Sequence, residues 1–355
     1  MTRALVIGAG PVGLCAALAL KTAGLAVTVL EDGRRGAGWA SGGMLGAVHE
    51  GLVGAAHPAF TAMGFQSRAM WATLARDVDV ALAADTLHLA TDAEEATAWA
   101  EIARRAEALG FPMREVAVPA GVRAIAVWTG GGDLTLDPRA ALRALRAACA
   151  RAGVTFLPGV AAAIGPGRAT LTSGEVVAAD ILVLATGHGG AGLSRAAPEL
   201  AAIAPVKGHL IRLPPSKALA PGRTLRAGAL YLIARADGLV VGATSEPGRD
   251  DADKVEAGEV ARLLSRAVDR VPALAGVSPI ESWAGVRPAT PDARPLLGES
   301  AIPGVLIAAG AHRNGWLLAP VMGAVVARLA QGENPGFGWL EAMSPGRFPN
   351  ARGPL

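Results

Sequence analysis

The chain has 355 residues, of which 52% are hydrophobic and 18% charged, with a formal net charge of +3. That length is natural for about two domains, and the apolar share argues for large buried cores and against a disordered chain. Beyond pairs such as Arg34–Arg35 and Arg104–Arg105 there is no basic block, so nucleic acid is not an expected partner, whereas an anionic cofactor and a carboxylate substrate are compatible with the charge.

The first thirty residues set the organisation. An apolar run, Ala4 to Ile7, predicts a buried strand, and Pro11 at a first helical position opens a helix that Gly24 stops. Gly8, Gly10 and Gly13 stand in GxGxxG spacing in the turn between them, and Leu25 to Leu30 predicts a second strand ending on Glu31. Each part has a task in holding a dinucleotide. Gly8 makes the tight turn, Gly10 admits a pyrophosphate, Gly13 permits close helix–strand packing, and Glu31 accepts hydrogen bonds from an adenosine ribose. The free N–H groups of the first helical turn, from Val12 onward, carry positive dipole toward phosphates, and Pro11 sets the turn's geometry. An ordinary glycine turn needs none of this register. The apolar start matches a signal peptide only in composition, because Gly8, Gly10 and Pro11 interrupt it. With Cys15 and Cys149 both in apolar helical patterns, a reducing, cytoplasmic setting is expected, and no transmembrane run is present.

The stretch from Asp32 to Gly46 is too apolar for a solvated loop and rich in glycine. Trp39, Met44 and Leu45 would sit badly in water, and glycines let backbone press against a flat group. It reads as backbone wrapping a cofactor, through Asp32, Ala40, Ser41, Gly43, Met44 and Leu45; a flexible linker is the alternative. Helical patterning follows from Pro58 to Leu82, then a strand at Thr86–Ala90 and a helix at Ala93–Leu109 capped by Asp92. Gly130 to Gly132 make a break, and Asp137 with Pro138 starts a helix to Ala152. A strand at Val154–Leu157 and a turn at Ser173–Gly174 lead to a buried strand from Ile181 that ends in the small residues Ala185, Thr186 and Gly187.

The second half is antiparallel in pattern. Asp237 and Gly238 close a hairpin of Ala229–Arg235 with Leu239–Thr244. A helix is expected from Asp253 to Val268, then a strand from Ile280 to Val286 that delivers Arg287 just before Pro288, where the chain stays extended. Val305–Ala309 is apolar, and Gly315 opens a helix to Ala330. Strand–helix–strand units interleaved with antiparallel pieces predict two domains woven from discontinuous chain. A Rossmann-like dinucleotide-binding domain is expected from 1–50, 137–205 and 296–331, and an antiparallel-sheet substrate domain from 51–136 and 206–295. The Gly/Pro-rich tail, 332–355, lacks periodicity and is a candidate for disorder.

Several stretches together resemble the D-amino-acid-oxidase family of flavoproteins, most closely its glycine oxidase branch of bacterial thiamine synthesis. They are Gly8–Gly13, ASGGMLG (40–46), PVKG (205–208), LYLI (230–233), VVGAT (240–244), WAGVRP (283–288) and RNGWLLAP (313–320). Each is weak alone; in this order, over nearly the whole chain, they are specific. The resemblance implies FAD as cofactor, its adenosine end on the first glycine loop and its isoalloxazine between the domains. It implies cofactor contacts at Gly8, Gly10, Pro11, Val12, Gly13, Glu31, Asp32, Ala40, Ser41, Gly43, Met44, Leu45, Val160, Thr186 and Gly187. On the substrate side, Arg287, Arg313, Asn314, Gly315 and Trp316 complete that set. Only one dinucleotide fingerprint is present, so a second nicotinamide site is not expected, and no cysteine or histidine marks a covalent flavin link.

By the same resemblance Arg287 grips the substrate carboxylate, Tyr231 contacts it, and Arg313 stands nearby. The residue types agree: arginine offers a planar two-bond fork, and Tyr231, the only tyrosine in the chain, would need a partner for its hydroxyl in an apolar strand. Ala311, Ser245 and Trp316 depart from the family pattern and bear on pocket size and polarity. The six histidines (49, 57, 88, 188, 209, 312) show no metal-ligand spacing. The implied activity is oxidation of glycine or a small or D-amino acid to an imine and then a 2-oxo acid, with O2 reduced to H2O2. Oxidases of sarcosine, D-proline or a primary amine, a hydrogen-cyanide-synthase-type subunit, a tRNA-modifying flavin domain and a non-enzymatic flavin-binding subunit stay open, as does homo-oligomer formation.

Overall fold

The computed structural model describes residues 1–53 and 56–348. Six strands form one sheet in the order Leu296–Glu299, Val305–Ala309, Ile181–Leu184, Arg3–Ile7, Ala26–Glu31, Thr155–Pro158. All neighbours are parallel except the first pair. Side chains alternate, as strand geometry requires. Ala4 and Val6 face helices Pro11–Thr22, Pro138–Arg151 and Gly315–Ala330. Leu5 and Ile7 face a three-stranded antiparallel layer through Ala169 and Leu171. Burial on both faces is why these strands read as continuous apolar runs. The first and last of the three helices touch backbone to backbone: a Cβ on Gly323 would lie 2.8 Å from the Cys15 carbonyl carbon.

The second sheet has nine strands. Its long strand Ala204–Leu213 pairs along its whole length with Glu281–Ala289, and on its other edge with Gly238–Gly242 and Glu246–Pro247. Helix Ala257–Arg270 covers one face through Leu263 and Ala267. The other face carries Leu210, Tyr231, Ile233, Val240 and Trp283, which pack on Ala40 with Trp39 and Met44 alongside. The two sheets therefore meet at the glycine-rich stretch that follows Glu31.

Several elements differ from expectation. The helix from Pro58 ends at Asp77, and its buried side (Phe60, Met63, Trp71, Ala75) packs into the core of the first sheet, although it lies in the segment expected for the substrate domain. The helix expected from Asp253 begins at Ala257, because Asp251 and Glu256 are drawn to Lys207 instead. Strands Met113–Val116, Ala126–Gly130 and Arg223–Ala227 escaped the pattern reading. The tail is ordered as far as 348. Trp339 and Met343 are buried in the first core, and Arg347 bonds Asp292 and the carbonyls of Arg294 and Pro295. Residues 349–355 lie outside the described part. Among the described residues no helix is long and apolar enough to cross a membrane.

Candidate active site at the junction of the two sheets

The glycine turn is built as its spacing requires. Gly8 has φ +114° and presses on the Ala185 carbonyl, so no side chain fits there. A Cβ on Gly13 would strike the backbone of Gly8, whereas one on Gly10 would meet nothing within 4 Å. The Gly10 surface is thus open at the start of the Pro11–Thr22 helix, whose first N–H groups have no side-chain cap. Across the turn, Thr186 Oγ1 is buried without a hydrogen-bond partner, and Gly187 has φ +58° with open space beside it. An open glycine and free helical N–H groups lie where a dinucleotide would rest, with the backbone of Thr186, whose hydroxyl has no partner, beside Gly8. The residues present fit the cofactor.

Glu31 ends its strand as expected, and both its oxygens face the Arg146 guanidinium, with Nη2 at 2.7 Å from Oε1. Asp32 is 2.9 Å from Arg34 Nε. Val160, just past the Thr155–Pro158 strand, is 37% exposed. The stretch that follows is a pinned backbone. Trp283 Nε1 donates to the Ala40 carbonyl at 2.8 Å, and Trp316 Nε1 to Gly38 at 2.9 Å. Arg235 holds the carbonyl of Gly42 at 2.8 Å, the Ser41 hydroxyl accepts from Gly43 N–H, and Met44–Leu45 pairs with Leu134–Thr135. This is not a linker. Nearby, Asn314 is buried and starts the Gly315–Ala330 helix, so the unpaired first-turn N–H groups of that helix also point to the junction.

Tyr231 is 7% exposed and lies between two glycines: a Cβ on Gly42 would come 2.7 Å from its Cε2, and so would one on Gly242. Burial pushes the phenol pKa up, so the hydroxyl keeps its proton. Arg287 stands close enough for its charge to be felt there. Its Nη1 donates to the carbonyls of Thr244 at 3.1 Å and Lys207 at 3.5 Å. Gly208 makes room for it, since a Cβ there would lie 2.5 Å from Nη1. Burial holds the guanidinium pKa below its usual value, with Tyr231 opposing and Arg313 adding to the shift. Among the described residues Arg287 forms no salt bridge, and Nη2 and Nε have no hydrogen-bond partner.

Arg313 is placed differently. Its side chain is 52% exposed and its Nε lies 2.6 Å from Glu50. Glu50, which sequence reasoning passed over, also binds Arg226 at 3.2 Å. Burial opposes its ionisation, but the two arginines outweigh that and keep its pKa below the usual range. Arg226 was missed too. The one signal for it was register: it sits directly across the hairpin from Tyr231. Beneath this pair, Asp133 accepts the N–H groups of Val48 (2.8 Å) and His49 (3.3 Å), fixing the short helix that carries Glu50. Burial pushes Asp133 up to about 6, against Arg226 and those two N–H donors. His312, with φ +49°, completes the wall. Burial, then Arg287 and Arg313, push it down to about 4, so it is neutral at pH 7. Three other acids singled out in the sequence are each engaged by arginine: Asp180 meets Arg3, Glu281 meets Arg139, and Asp292 meets Arg294 and Arg347. Ser245 is exposed beside Thr244, and Ala311 and Trp316 are buried.

Comparison with known proteins agrees with this architecture. A sequence profile of the FAD dependent oxidoreductase (DAO) family matches residues 3–329. The glycine oxidase of Geobacillus kaustophilus (strain HTA426) is 31% identical over 381 aligned positions, covering 94% of this chain and 93% of that one. The glycine oxidase of Pseudomonas aeruginosa is also 31% identical, covering 94% and 96%. A crystal structure of the Geobacillus kaustophilus glycine oxidase superposes with a TM-score of 0.89 at 28% identity, over 98% of this chain and 99% of that chain. A Rossmann-like cofactor domain joined to an antiparallel-sheet domain, with the glycine turn and the two-sheet junction in place, is the fold these proteins share. The chain belongs to the DAO family of FAD-dependent oxidoreductases.

Proposed function

We propose that the protein is an amino acid oxidase acting on glycine or another small or D-amino acid, with Arg287 and Tyr231 holding the substrate carboxylate. One observation carries the reading: Arg287 is partly buried, backed by two carbonyls, and among the described residues has no anionic partner of its own. Nη2 and Nε of this guanidinium are left without a partner, and a ligand carboxylate is the group that matches its planar fork. Tyr231, protonated and clamped between Gly42 and Gly242, offers a neutral donor beside it. Arg313, tethered by Glu50, stands at the mouth, where it favours entry of an acid. The names of the glycine oxidases similar to this chain support the substrate class.

The cofactor, held noncovalently, would rest on Gly8, Gly10, Pro11, Val12 and Gly13, with Glu31 and Asp32 toward its adenosine. Ala40, Ser41, Gly43, Met44 and Leu45, then Val160, Thr186 and Gly187, would complete its bed, and the helix start at Asn314, Gly315 and Trp316 would meet its other end. When bound, FAD supplies the two-electron oxidation and passes the electrons to O2, giving H2O2. The residues of this chain bind and orient: they fix the carboxylate, shield the site from water through Trp283, Trp316 and Tyr231, and favour negative charge at the helix start. No side-chain base is needed if the amine reacts neutral. The imine leaves and hydrolyses in water to a 2-oxo acid and ammonia.

The test is peroxide formation by the purified holoenzyme with glycine, sarcosine, several D-amino acids and simple amines. Turnover is expected on small amino acids and not on amines lacking a carboxylate. Arg287→Ala should raise KM by about 10- to 150-fold, the worth of about 1.5–3 kcal/mol for a charge-assisted hydrogen bond. Equal turnover of a carboxylate-free amine, or an unchanged KM in Arg287→Ala, would overturn the assignment.

A further inference from the structure

We propose that Lys207, His209, Thr244 and Glu246 form a buried positioning network that fixes the two carbonyls on which the Arg287 guanidinium rests. The inference depends on the reading of Arg287 as the carboxylate-binding residue. Strand alternation separates two sides of the Ala204–Leu213 strand. Gly208 faces Arg287, whose Nη1 a Cβ there would meet at 2.5 Å. Lys207 and His209 point the opposite way and are both 0% exposed. Lys207 Nζ lies 3.2 Å from Asp251 and 3.1 Å from Glu256. The backbone N–H of His209 donates to Thr244 Oγ1 at 2.8 Å, and its Nδ1 lies 3.1 Å from that oxygen and 2.9 Å from Glu246. The Thr244 hydroxyl donates to Glu246 at 3.1 Å, and Arg249 ties Glu246 to Asp251 and Glu256.

These bonds end on the residues whose carbonyls Arg287 uses: Lys207 and Thr244. A peptide plane is rigid, so pinning the Thr244 side chain and amide neighbourhood aims its carbonyl. Ligand atoms of His209, Glu246 and Glu256 lie within 4.8 Å of one another, the spacing of a cation site. Lys207 and Arg249 already occupy those carboxylates, so the cations of this cluster are the protein's own. Burying a lysine and a histidine gives little net stability over apolar side chains of similar size; what the arrangement does provide is a defined direction for two acceptors.

The experiment uses holoenzyme and acetate as the carboxylate probe, its Kd read from the change in flavin absorbance. Thr244→Val removes the hydroxyl with little change of shape, and Thr244→Ser restores it. Thr244→Val should weaken acetate about tenfold, the worth of one aimed hydrogen bond, with flavin content unchanged, while Thr244→Ser stays within about twofold. In an Arg287→Ala background Thr244→Val should add nothing, because the network acts through that guanidinium. Unchanged acetate affinity in Thr244→Val, or the same loss with Arg287 absent, overturns the proposal. If Thr244→Val gives no holoenzyme, Glu246→Gln takes its place with the same expected and refuting outcomes. Arg287→Ala that binds acetate like the wild type would instead refute the reading of Arg287, whichever way Thr244→Val behaves.

Discussion

The sharpest test of the carboxylate site is a single methyl group. Gly208 lies in a strand with no left-handed φ, so alanine is conformationally acceptable and the substitution acts by volume alone. The added Cβ would lie 2.5 Å from Arg287 Nη1 and 2.5 Å from the Thr244 carbonyl oxygen. Ordinary contact begins near 3.4 Å, so one or both groups must retreat by about 1 Å. The 3.1 Å bond from Nη1 to Thr244 is then lost and the fork is turned away from the substrate. Losing one of two charge-assisted bonds to a carboxylate costs about 1.5–3 kcal/mol, or roughly 10- to 150-fold. Because that grip exists before and during reaction, most of the change should appear in KM, with a smaller loss of kcat from misorientation. Steady-state peroxide formation with glycine and an acetate titration of the holoenzyme measure both. Gly208→Ala with wild-type KM and wild-type acetate affinity would refute the argument, since no other path lets the methyl fit without moving Arg287 or Thr244.

Two further outcomes concern stability. His88 is buried against Trp99, and burial followed by Arg226 pushes it down to about 3. A depressed histidine lets the unfolded chain take the proton first, so the folded state loses stability as pH falls below about 6.5, by about 2 kcal/mol between pH 6.5 and 5. His49 acts in the same direction, whereas the raised pKa of Asp133, about 6, contributes stability at low pH that is lost as pH rises. His88→Phe should therefore show a flatter acid limb in urea midpoints; a limb as steep as the wild type's would contradict the burial argument. Arg347→Ala should lower stability by about 3 kcal/mol, because it unties the tail from Asp292 and the carbonyls of Arg294 and Pro295 at a partly buried site. A melting temperature equal to the wild type's would mean that the tail adds nothing to the fold.

What was legible in the sequence and what was not divide along a physical line. The glycine turn and the Asp137–Pro138 helix start are local: spacing within a few residues dictates them, and neighbours in sequence supply the partners. The strand expected to end at Val286 runs instead over Glu281–Ala289, so Arg287 lies within it, because pairing with Ala204–Leu213 continues past Pro288. Glu50 and Arg226, and the pairing of Glu50 with the expected Arg313, were a different matter. They meet across 263 residues of chain, and the contact exists only once the two sheets are packed on the Ala37–Leu45 stretch. A glutamate in a short helix and an arginine in a strand are ordinary surface residues until that packing buries them. The hairpin register placing Arg226 opposite Tyr231 was the one local clue, and it required recognising Arg223–Ala227 as a strand, which its two arginines concealed. The tail failed for a related reason. Its turns are 3-10 and carry no 3.6-residue stripe, so its order comes from individual anchors such as Trp339 and Met343.

The same line explains where the chain tolerates change. The proposed cofactor bed is largely backbone, so many of its residue identities are set by what must be absent, a Cβ at Gly8, Gly13 and Gly38. The proposed substrate side is made of side chains whose directions are set by partners on other elements: Arg287 by Thr244, Arg313 by Glu50, Tyr231 by Gly42 and Gly242. Ser245 has no such partner among the described residues, being exposed next to the carbonyl that aims Arg287. On the proposed function, a substitution there would alter the size and polarity of the mouth without disturbing the carboxylate grip, so substrate preference would drift while the requirement for an acid stays fixed.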